Sequence, residues 1–219
     1  MMLNVKPFKT DVIMHAQYKE SMLGLAKEDS RISLVRRLQE AFGLRLDAIK
    51  FNNETISGNY IHITKSYGSA LFALSFGLEE TSANLYDVES GQQIVDSYGV
   101  LFKILDEIPI RTMRVNVSRH FETEGDLGSY LKSLNPQVPK RFETLLTGRG
   151  AFYNLRIPEH NLNIFLTIVN SLLVAKGLFL GIDYYFDPYA LDFDGVSGLV
   201  TKNDEFILKE LELKIKTEV

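Results

Sequence analysis

The 219-residue chain contains no cysteine. Disulfide bonds, cysteine-ligated zinc, iron–sulfur clusters and a thiol nucleophile are therefore excluded. An excess of basic charge is also lacking, because 24 Lys and Arg residues face 28 Asp and Glu residues and leave a formal net charge of −4. Nucleic-acid binding proteins draw most of their affinity from a basic face that neutralises phosphates. This balance disfavours DNA or RNA as a partner, although a local basic patch stays open.

Segments that would direct the chain to a membrane are not expected either. The first residues lack the charged-then-apolar layout of a secretion signal. Residues 162–182 are apolar and roughly of bilayer length, but they contain Asn163, Asn170 and Lys176, and Lys176 precedes the turn-forming Gly177. Two buried strands fit this stretch better than a membrane-spanning helix. We therefore expect a cytoplasmic protein with no membrane partner.

Recognisable motifs of catalysis or cofactor binding are absent. The glycine-containing segment Thr147-Gly148-Arg149-Gly150 precedes a predicted strand, whereas a phosphate-binding loop precedes a helix. The four histidines are scattered and show no spacing typical of a catalytic triad or a metal site. We therefore expect no cofactor, and the sequence favours a non-enzymatic protein while an enzyme stays the alternative.

The first part of the chain predicts a strand, a helix, four short strands and a second helix. Val12, Met14, Ala16 and Tyr18 alternate with more polar residues, as in a half-buried strand. A helix capped by Asp29 or Ser30 should end at Gly43, with Ile32, Val35, Leu38, Ala41 and Phe42 on its apolar face. Strands are predicted at about 44–52, 57–65, 69–77 and 81–87, and a helix at about 90–108, which Pro109 ends.

The second part repeats this order. Met113, Val115 and Val117 predict a strand, and a polar segment then leads to a short helix near 139–146. The next strands are predicted at 150–157, 162–174 and 177–186. An amphipathic helix at about 195–216 follows.

Fold class follows from this repeated order. We predict an α+β protein with two similar β-α-β(3–4)-α halves, residues 1–109 and 110–219, each an antiparallel sheet with helices packed on one face. The element order resembles the repeat of the TATA-binding-protein-like fold. The two halves could join edge to edge in one continuous sheet or pack through their terminal helices.

The end of the chain resembles that of a known family. The chain ends with a strand at residues 177–186, the segment Leu191-Asp192-Phe193-Asp194 and a long helix. This ending resembles the C-terminal part of a sporadically distributed family of uncharacterised prokaryotic conserved hypothetical proteins. The family has no established catalytic residues, so the resemblance implies no site residue. Sporadic distribution implies a mobile-element or phage-conflict context.

An acidic cluster is the densest polar feature of the sequence. Hard cations such as Ca²⁺ and Mg²⁺ need several converging oxygen ligands, and the candidate ligands here are Asp183, Asp187, Asp192 and Asp194. The alternative, which we favour, is that Asp192 and Asp194 cap the last helix, where carboxylates bind free N–H groups. We therefore predict no metal site.

Two histidines are candidates for a shared site between the halves. His15 lies at an outward position of the first predicted strand, and His120 follows the equivalent strand of the second half. Surface or core positions remain the default for both. Of the aromatic residues, most should be core, and Tyr184-Tyr185 should place one ring on each face of a strand.

Three functions stay open. The first is a non-enzymatic protein-interaction or assembly module that binds another protein or a second copy of itself. The second is a metal-dependent, carboxylate-based hydrolase or nuclease, or a small-ligand binder. The third is nucleic-acid binding on a curved sheet, although the basic concave face and paired intercalating phenylalanines of a minor-groove bender are not visible.

Overall fold

The computed structural model describes residues 2–51, 61–135, 149–187 and 191–216. Within these residues no helix has the length and apolar character needed to cross a membrane. The apolar stretch 162–182 forms parts of two strands, as predicted.

Within these described ranges, ten strands and five α-helical segments follow one another. In order they are β1 (Leu3–Tyr18), α1 (Glu28–Phe42), β2 (Ile49–Phe51), β3 (Ile61–Tyr67), β4 (Ala70–Phe76), β5 (Glu80–Tyr86), α2 (Gly91–Ile94), α3 (Val100–Leu105), β6 (Ile110–Glu124), α4 (Leu127–Leu134), β7 (Gly150–Ile157), β8 (Leu162–Asn170), β9 (Gly177–Phe186), α5 (Phe193–Glu210) and β10 (Leu213–Ile215). The hydrogen-bonded order is β2-β3-β4-β5-β1-β6-β9-β8-β7, with β10 beside β1. An α+β fold with an antiparallel sheet is thus confirmed; the internal duplication and the TATA-binding-protein-like topology stay predictions.

The chain divides into two compact units. Unit A comprises Asp11–Val115 and Tyr185–Val196, and unit B comprises Met1–Thr10, Asn116–Tyr184 and Ser197–Val219. The sequence predicts two halves, 1–109 and 110–219, from the repeated order of their elements. The two compact units do not test this repeat, so the division into halves stays a prediction.

In unit A, the alternation in β1 produces the expected burial. Val12, Met14, Ala16 and Tyr18 are buried, because every second side chain of a strand faces the same side. The hydroxyl group of Tyr98 donates to the carbonyl oxygens of Val12 at 2.8 Å and Ala83 at 3.0 Å, so the strands and the helical segment are joined inside the core.

Helix α1 buries Leu34, Val35, Leu38 and Phe42. Ile32 and Ala41, which were expected on this face, are exposed. The predicted caps Asp29 and Ser30 are wrong, since the helix begins at Glu28 and Lys27 occupies the cap position without a side-chain bond. Gly43 ends the helix with φ +60°, as predicted, because glycine adopts the left-handed conformation without a Cβ clash.

The second predicted helix contains an interruption. A π-helical turn, Val95–Gly99, separates α2 from α3, and the helix ends at Leu105. A π turn holds an additional residue, which rotates the apolar stripe relative to an unbroken α-helix. Val95, the first residue of this turn, is 49% exposed, whereas Tyr98 is buried.

In unit B, the strands match the prediction better than the helices do. β7, β8 and β9 lie at the expected places, but α4 occupies residues that were predicted to be a polar segment. Asp126 caps α4 by accepting from the backbone N–H of Ser129 at 3.0 Å. The helix predicted near 139–146 and the first part of the predicted 57–65 strand lie outside the described residues.

The last predicted helix is shorter than expected. Helix α5 ends at Glu210, and Glu212 has φ +52°, which stops helical hydrogen bonding. Residues 213–215 then form β10, which pairs in parallel with β1 from Leu3↔Leu213 to Val5↔Ile215. Ile215, expected on the helix, therefore lies on a strand.

Candidate interaction surface and polar pocket

Strand β7 in unit B lies at one end of the strand order. It pairs with β8 over its whole length, from Gly150↔Val169 to Ile157↔Leu162, without a bulge. No other strand of the described ranges pairs with it. β7 is thus an edge strand, with a row of backbone N–H and C=O groups directed away from β8.

The side chains of β7 are exposed on both faces of the sheet. We call Phe152, Tyr153, Asn154, Leu155 and Arg156 the β7 surface; all five are exposed, and Phe152 is 73% exposed. Even numbers lie on one face and odd numbers on the other, because side chains alternate along a strand. The β7 surface therefore presents apolar groups above and below the edge that faces away from β8.

Each face of the β7 surface continues onto its neighbours. Asn154 pairs with Phe165 of β8, so this 44%-exposed ring lies on the same face as Phe152. On the other face, Tyr153 and Leu155 line a concavity of about 320 Å³ that also includes Phe206 of α5. Phe152, Tyr153 and Phe165 are therefore exposed exceptions to the expectation that most aromatic residues lie in the core.

Natural edge strands are protected by lysines, prolines, bulges or short length. β7 has eight residues, a continuous register and a single charged side chain, Arg156. At its beginning, the side-chain amide of Asn135 donates to the carbonyl oxygen of Gly150 at 3.1 Å. Over residues 152–156, the strand itself contains no lysine, proline or bulge, and α4 contacts it through the Tyr153 hydroxyl, which donates to the carbonyl oxygen of Leu134 at 3.0 Å.

A polar pocket lies in unit A and includes one of the two predicted histidines. We call it the His15 pocket; it has a volume of about 310 Å³, and its six lining residues are His15, Gln17, Glu80, Thr112, Arg114 and Tyr185. Tyr185 is half-buried and Tyr184 fully buried, so the two rings lie on opposite faces as predicted.

His120, the other predicted histidine, lies in unit B and stabilises a turn. Its Nδ1 atom is 2.8 Å from the Ser171 hydroxyl oxygen, which also accepts from the backbone N–H groups of Leu173 and Val174. The remaining hydroxyl hydrogen of Ser171 therefore points to His120. The imidazole also packs against the Phe179 ring, with centroids 4.9 Å apart. These contacts give His120 a structural role.

The four aspartates of the predicted acidic cluster have separate roles. Asp192 caps α5, because its Oδ1 accepts from the backbone N–H of Gly195 at 2.8 Å, as the capping interpretation expected. Asp194 lies in the first turn of that helix. Asp183, in unit B, accepts from the side-chain amide of Asn116 at 2.9 Å, and Asp187 is exposed. Among the described residues, no group of three or more His, Asp or Glu is placed to hold a metal ion.

A larger concavity in unit A, of about 680 Å³, lies beside the π turn. Tyr67 lines it and donates its hydroxyl hydrogen to the carbonyl oxygen of Asp96 at 3.1 Å. Burial, with a smaller effect of the Asp96 charge, raises the pKa of Tyr67 to about 12. Tyr67 thus supplies a hydrogen bond to the carbonyl oxygen of Asp96 in the π turn.

An ion pair in unit B was not predicted from the sequence. Arg119 of β6 donates to both carboxylate oxygens of Asp204 on α5, at 2.7 and 2.6 Å, and both side chains are largely buried. Burial raises the pKa of the Tyr184 hydroxyl, the charge of Asp204 raises it further, and that of Arg119 lowers it. No local spacing could reveal a pair that is 85 residues apart in sequence.

No protein-family model matches the chain, and no curated protein is similar to it.

Proposed function

We propose that the protein is a non-enzymatic interaction module that assembles with a second copy of itself through the β7 surface. The observation that carries the proposal is the outer edge of β7, which pairs with no strand of the described residues and exposes Phe152, Tyr153 and Leu155. Strand addition satisfies an edge with backbone hydrogen bonds, while side chains above and below it provide specificity.

The sequence of β7 favours a second copy as the occupant, because the strand is complementary to itself. Two antiparallel β7 strands related by a two-fold axis at Asn154 would place Phe152 of each copy opposite Arg156 of the other. The same register places Tyr153 opposite Leu155. Symmetric interfaces of this kind use one patch twice, so each favourable pair occurs two times.

The energies of these pairs support a modest affinity. An exposed cation–π contact contributes about 0.5–1 kcal/mol, and an aromatic–aliphatic cross-strand pair contributes roughly 0.2–1 kcal/mol. Association itself costs roughly 4–15 kcal/mol, which backbone hydrogen bonds and apolar burial must offset as well. We therefore expect a dimer that dissociates on dilution.

Analytical ultracentrifugation of charge variants tests the proposal. Phe152→Arg places two positive charges opposite each other in the proposed register and should give a monomer. Phe152→Glu faces Arg156 of the other copy and should keep the dimer. Leu172→Arg is the matched control, because Leu172 is 98% exposed in the same unit and lies outside β7. Equal masses for all three variants would contradict the register.

One observation supports nucleic acid as the alternative occupant of this face. Phe152 and Phe165 expose rings near Arg156, and exposed aromatics on a sheet can stack bases while arginine binds phosphate. Salt-sensitive binding of single-stranded DNA, lost in Phe165→Ala, would support this alternative over self-assembly. The cytoplasmic location and the mobile-element or phage-conflict context remain part of the proposal, and the neighbouring genes would test the context.

A further inference from the structure

We propose that the concavity in unit B between β7 and α5 binds a small hydrophobic amine. The apolar part of the ligand would lie in the concavity, and its ammonium group would meet the carboxylate of Glu210. We call this site the α5 groove; it has an exposed rim of Tyr153, Leu155, Phe206 and Glu210 over a buried floor of Leu166 and Ile207. The inference goes beyond self-assembly and does not depend on it, because every residue of the groove belongs to one copy of the chain.

The lining of the α5 groove is apolar except at one point. Of its eight residues, seven are leucine, isoleucine, phenylalanine or tyrosine, and the eighth is Glu210. Phe206 is 54% exposed, and Tyr153 and Leu155 are each 36% exposed. Ligand sites usually combine such an apolar lining with a few polar groups that fix the orientation of the ligand. The apolar part of a ligand would therefore cover side chains that now contact water.

Glu210 carries the single charge of this lining. Within the described ranges, its carboxylate takes part in no ion pair and no hydrogen bond. None of the eight lining residues is a lysine, an arginine or a histidine, so no cation of the lining itself competes for this carboxylate. A ligand with one positive charge is therefore complementary to the groove, and an anion is repelled by it.

The position of Glu210 in its helix also favours a cation. Glu210 is the last residue of α5, an 18-residue helix. The carbonyl groups at the end of a helix carry a partial negative charge, which attracts cations and disfavours a carboxylate. The helix end and the Glu210 side chain therefore attract a cation together, whereas the helix gains no stability from the charge of this glutamate.

Tyrosine hydrogen bonds hold two sides of the α5 groove in place. The hydroxyl group of Tyr153 donates to the carbonyl oxygen of Leu134 at 3.0 Å. The hydroxyl group of Tyr130 donates to the carbonyl oxygen of Leu211 at 2.7 Å. Leu134 and Leu211 both line the groove. The groove is therefore formed before a ligand binds, which reduces the entropic cost of binding.

The volume of the α5 groove limits the ligand. A water molecule takes about 30 Å³ of liquid, so the 320 Å³ of the groove correspond to roughly ten waters. This volume lies at the lower end of ligand sites, which range over about 300–1,000 Å³. A single aromatic ring with a short aliphatic amine fits this limit.

A nuclear magnetic resonance titration of the full-length protein tests the inference. The probes are phenethylamine, which is cationic at neutral pH, phenethyl alcohol, which is neutral and of similar size, and phenylacetate, which is an anion. We expect saturable shifts with phenethylamine and an affinity about two- to fivefold higher than for the alcohol, the factor of an exposed ion pair. Phenylacetate should bind most weakly. Absence of saturable phenethylamine binding, or equal affinity for all three probes, would overturn the inference.

Two variants then locate the site. Glu210→Gln should lower the affinity for phenethylamine to that for phenethyl alcohol and leave the affinity for the alcohol unchanged. Phe206→Ala should weaken both probes by a similar factor of roughly five, because an aromatic contact is lost. Both side chains are exposed, so both variants should fold. Thermal unfolding without ligand checks this, and Glu210→Gln should not lower the melting temperature.

A matched control completes the experiment. Glu205→Gln removes the same charge from an exposed position of the same helix, outside the lining of the groove. It should leave the affinity for phenethylamine unchanged. Affinities that are equal in Glu205→Gln and Glu210→Gln would overturn the assignment to Glu210. The Phe152→Arg variant, which changes the opposite face of β7, should bind phenethylamine like the unchanged protein, so failure of assembly and failure of amine binding are separate results.

Discussion

Arg119 and Asp204 show how a single pair of residues can stabilise unit B. The guanidinium and the carboxylate meet through two short hydrogen bonds, with side-chain exposures of 19% and 13%. Asp204→Asn keeps the size of the side chain but leaves Arg119 without its counter-charge. We expect the free energy of unfolding to fall by about 2–3 kcal/mol, measured by urea denaturation.

A second pair in the same unit is the control for this prediction. Lys216 and Glu124 also form an ion pair, but their side chains are 49% and 66% exposed. Because exposed pairs contribute about 0–1 kcal/mol, Glu124→Gln should change stability little. A loss of similar size in both variants would mean that burial does not determine the strength of the Arg119–Asp204 pair.

At the scale of elements, the predictions succeeded where periodicity alone decides the structure. β8 buries Leu162, Ile164, Leu166 and Ile168, a strict period of two, and its beginning was predicted correctly. The π turn has no comparable signal. It places Gly99 beside the Phe193 ring and buries Tyr98, whose hydroxyl donates to the carbonyl oxygen of Val12.

Short elements were missed for a related reason. Helix α4 is eight residues long and contains Gly128, a residue that costs helix stability and suggested a loop. β10 has three residues, and it is a strand because β1 pairs with it. Neither element could be predicted from its own residues, since tertiary contacts select these conformations.

Variants of Asp192, at the beginning of α5, distinguish the two interpretations of the acidic cluster, helix capping and metal binding. As a helix cap, Asp192 accepts one backbone N–H, so Asp192→Ala should lower the free energy of unfolding by about 1 kcal/mol. Asp192→Asn should preserve it, because asparagine caps equally well. Thermal unfolding measures both.

The melting temperature in the presence of Mg²⁺ tests the alternative interpretation, a cation site at the beginning of α5. If Asp192 and Asp194 bound a cation, Mg²⁺ would raise the melting temperature of the unchanged protein, and Asp192→Asn would remove the increase. That result would contradict a role limited to capping.

At the scale of the whole molecule, buried tyrosines determine the response to alkaline pH. Burial raises the pKa of Tyr18, Tyr98, Tyr130 and Tyr184, and raises that of Tyr67 to about 12. An unfolded tyrosine has a pKa of about 10. The stabilisation is therefore fully present below pH 10 and is lost as pH rises through the folded values.

An alkaline titration followed by tyrosinate absorbance and circular dichroism measures this effect. We expect exposed tyrosines to ionise first and a second group to ionise only as the protein unfolds. Ionisation of all ten tyrosines in a single step near pH 10, with the fold intact, would contradict their burial.

The candidate sites were less predictable than the fold. His15 was identified from its outward position on β1, but its partners Glu80, Thr112 and Tyr185 come from three other strands. The β7 surface was predicted as a strand and not as an edge, because strand order depends on pairing between distant segments. Local periodicity does not contain this information.

A disulfide cross-link tests assembly through the β7 surface most directly. The chain contains no cysteine, so Asn154→Cys introduces a single thiol at the proposed two-fold axis. Opposite residues of antiparallel strands have Cα atoms about 4.5–5.5 Å apart, a separation that a disulfide spans.

The control for the cross-link is Leu172→Cys, at a position that is 98% exposed. On mild oxidation, Asn154→Cys should give a covalent dimer of twice the 24.9 kDa chain mass, and Leu172→Cys should remain monomeric. An Asn154→Cys protein that stays monomeric, or a Leu172→Cys protein that cross-links as readily, would contradict assembly through this strand.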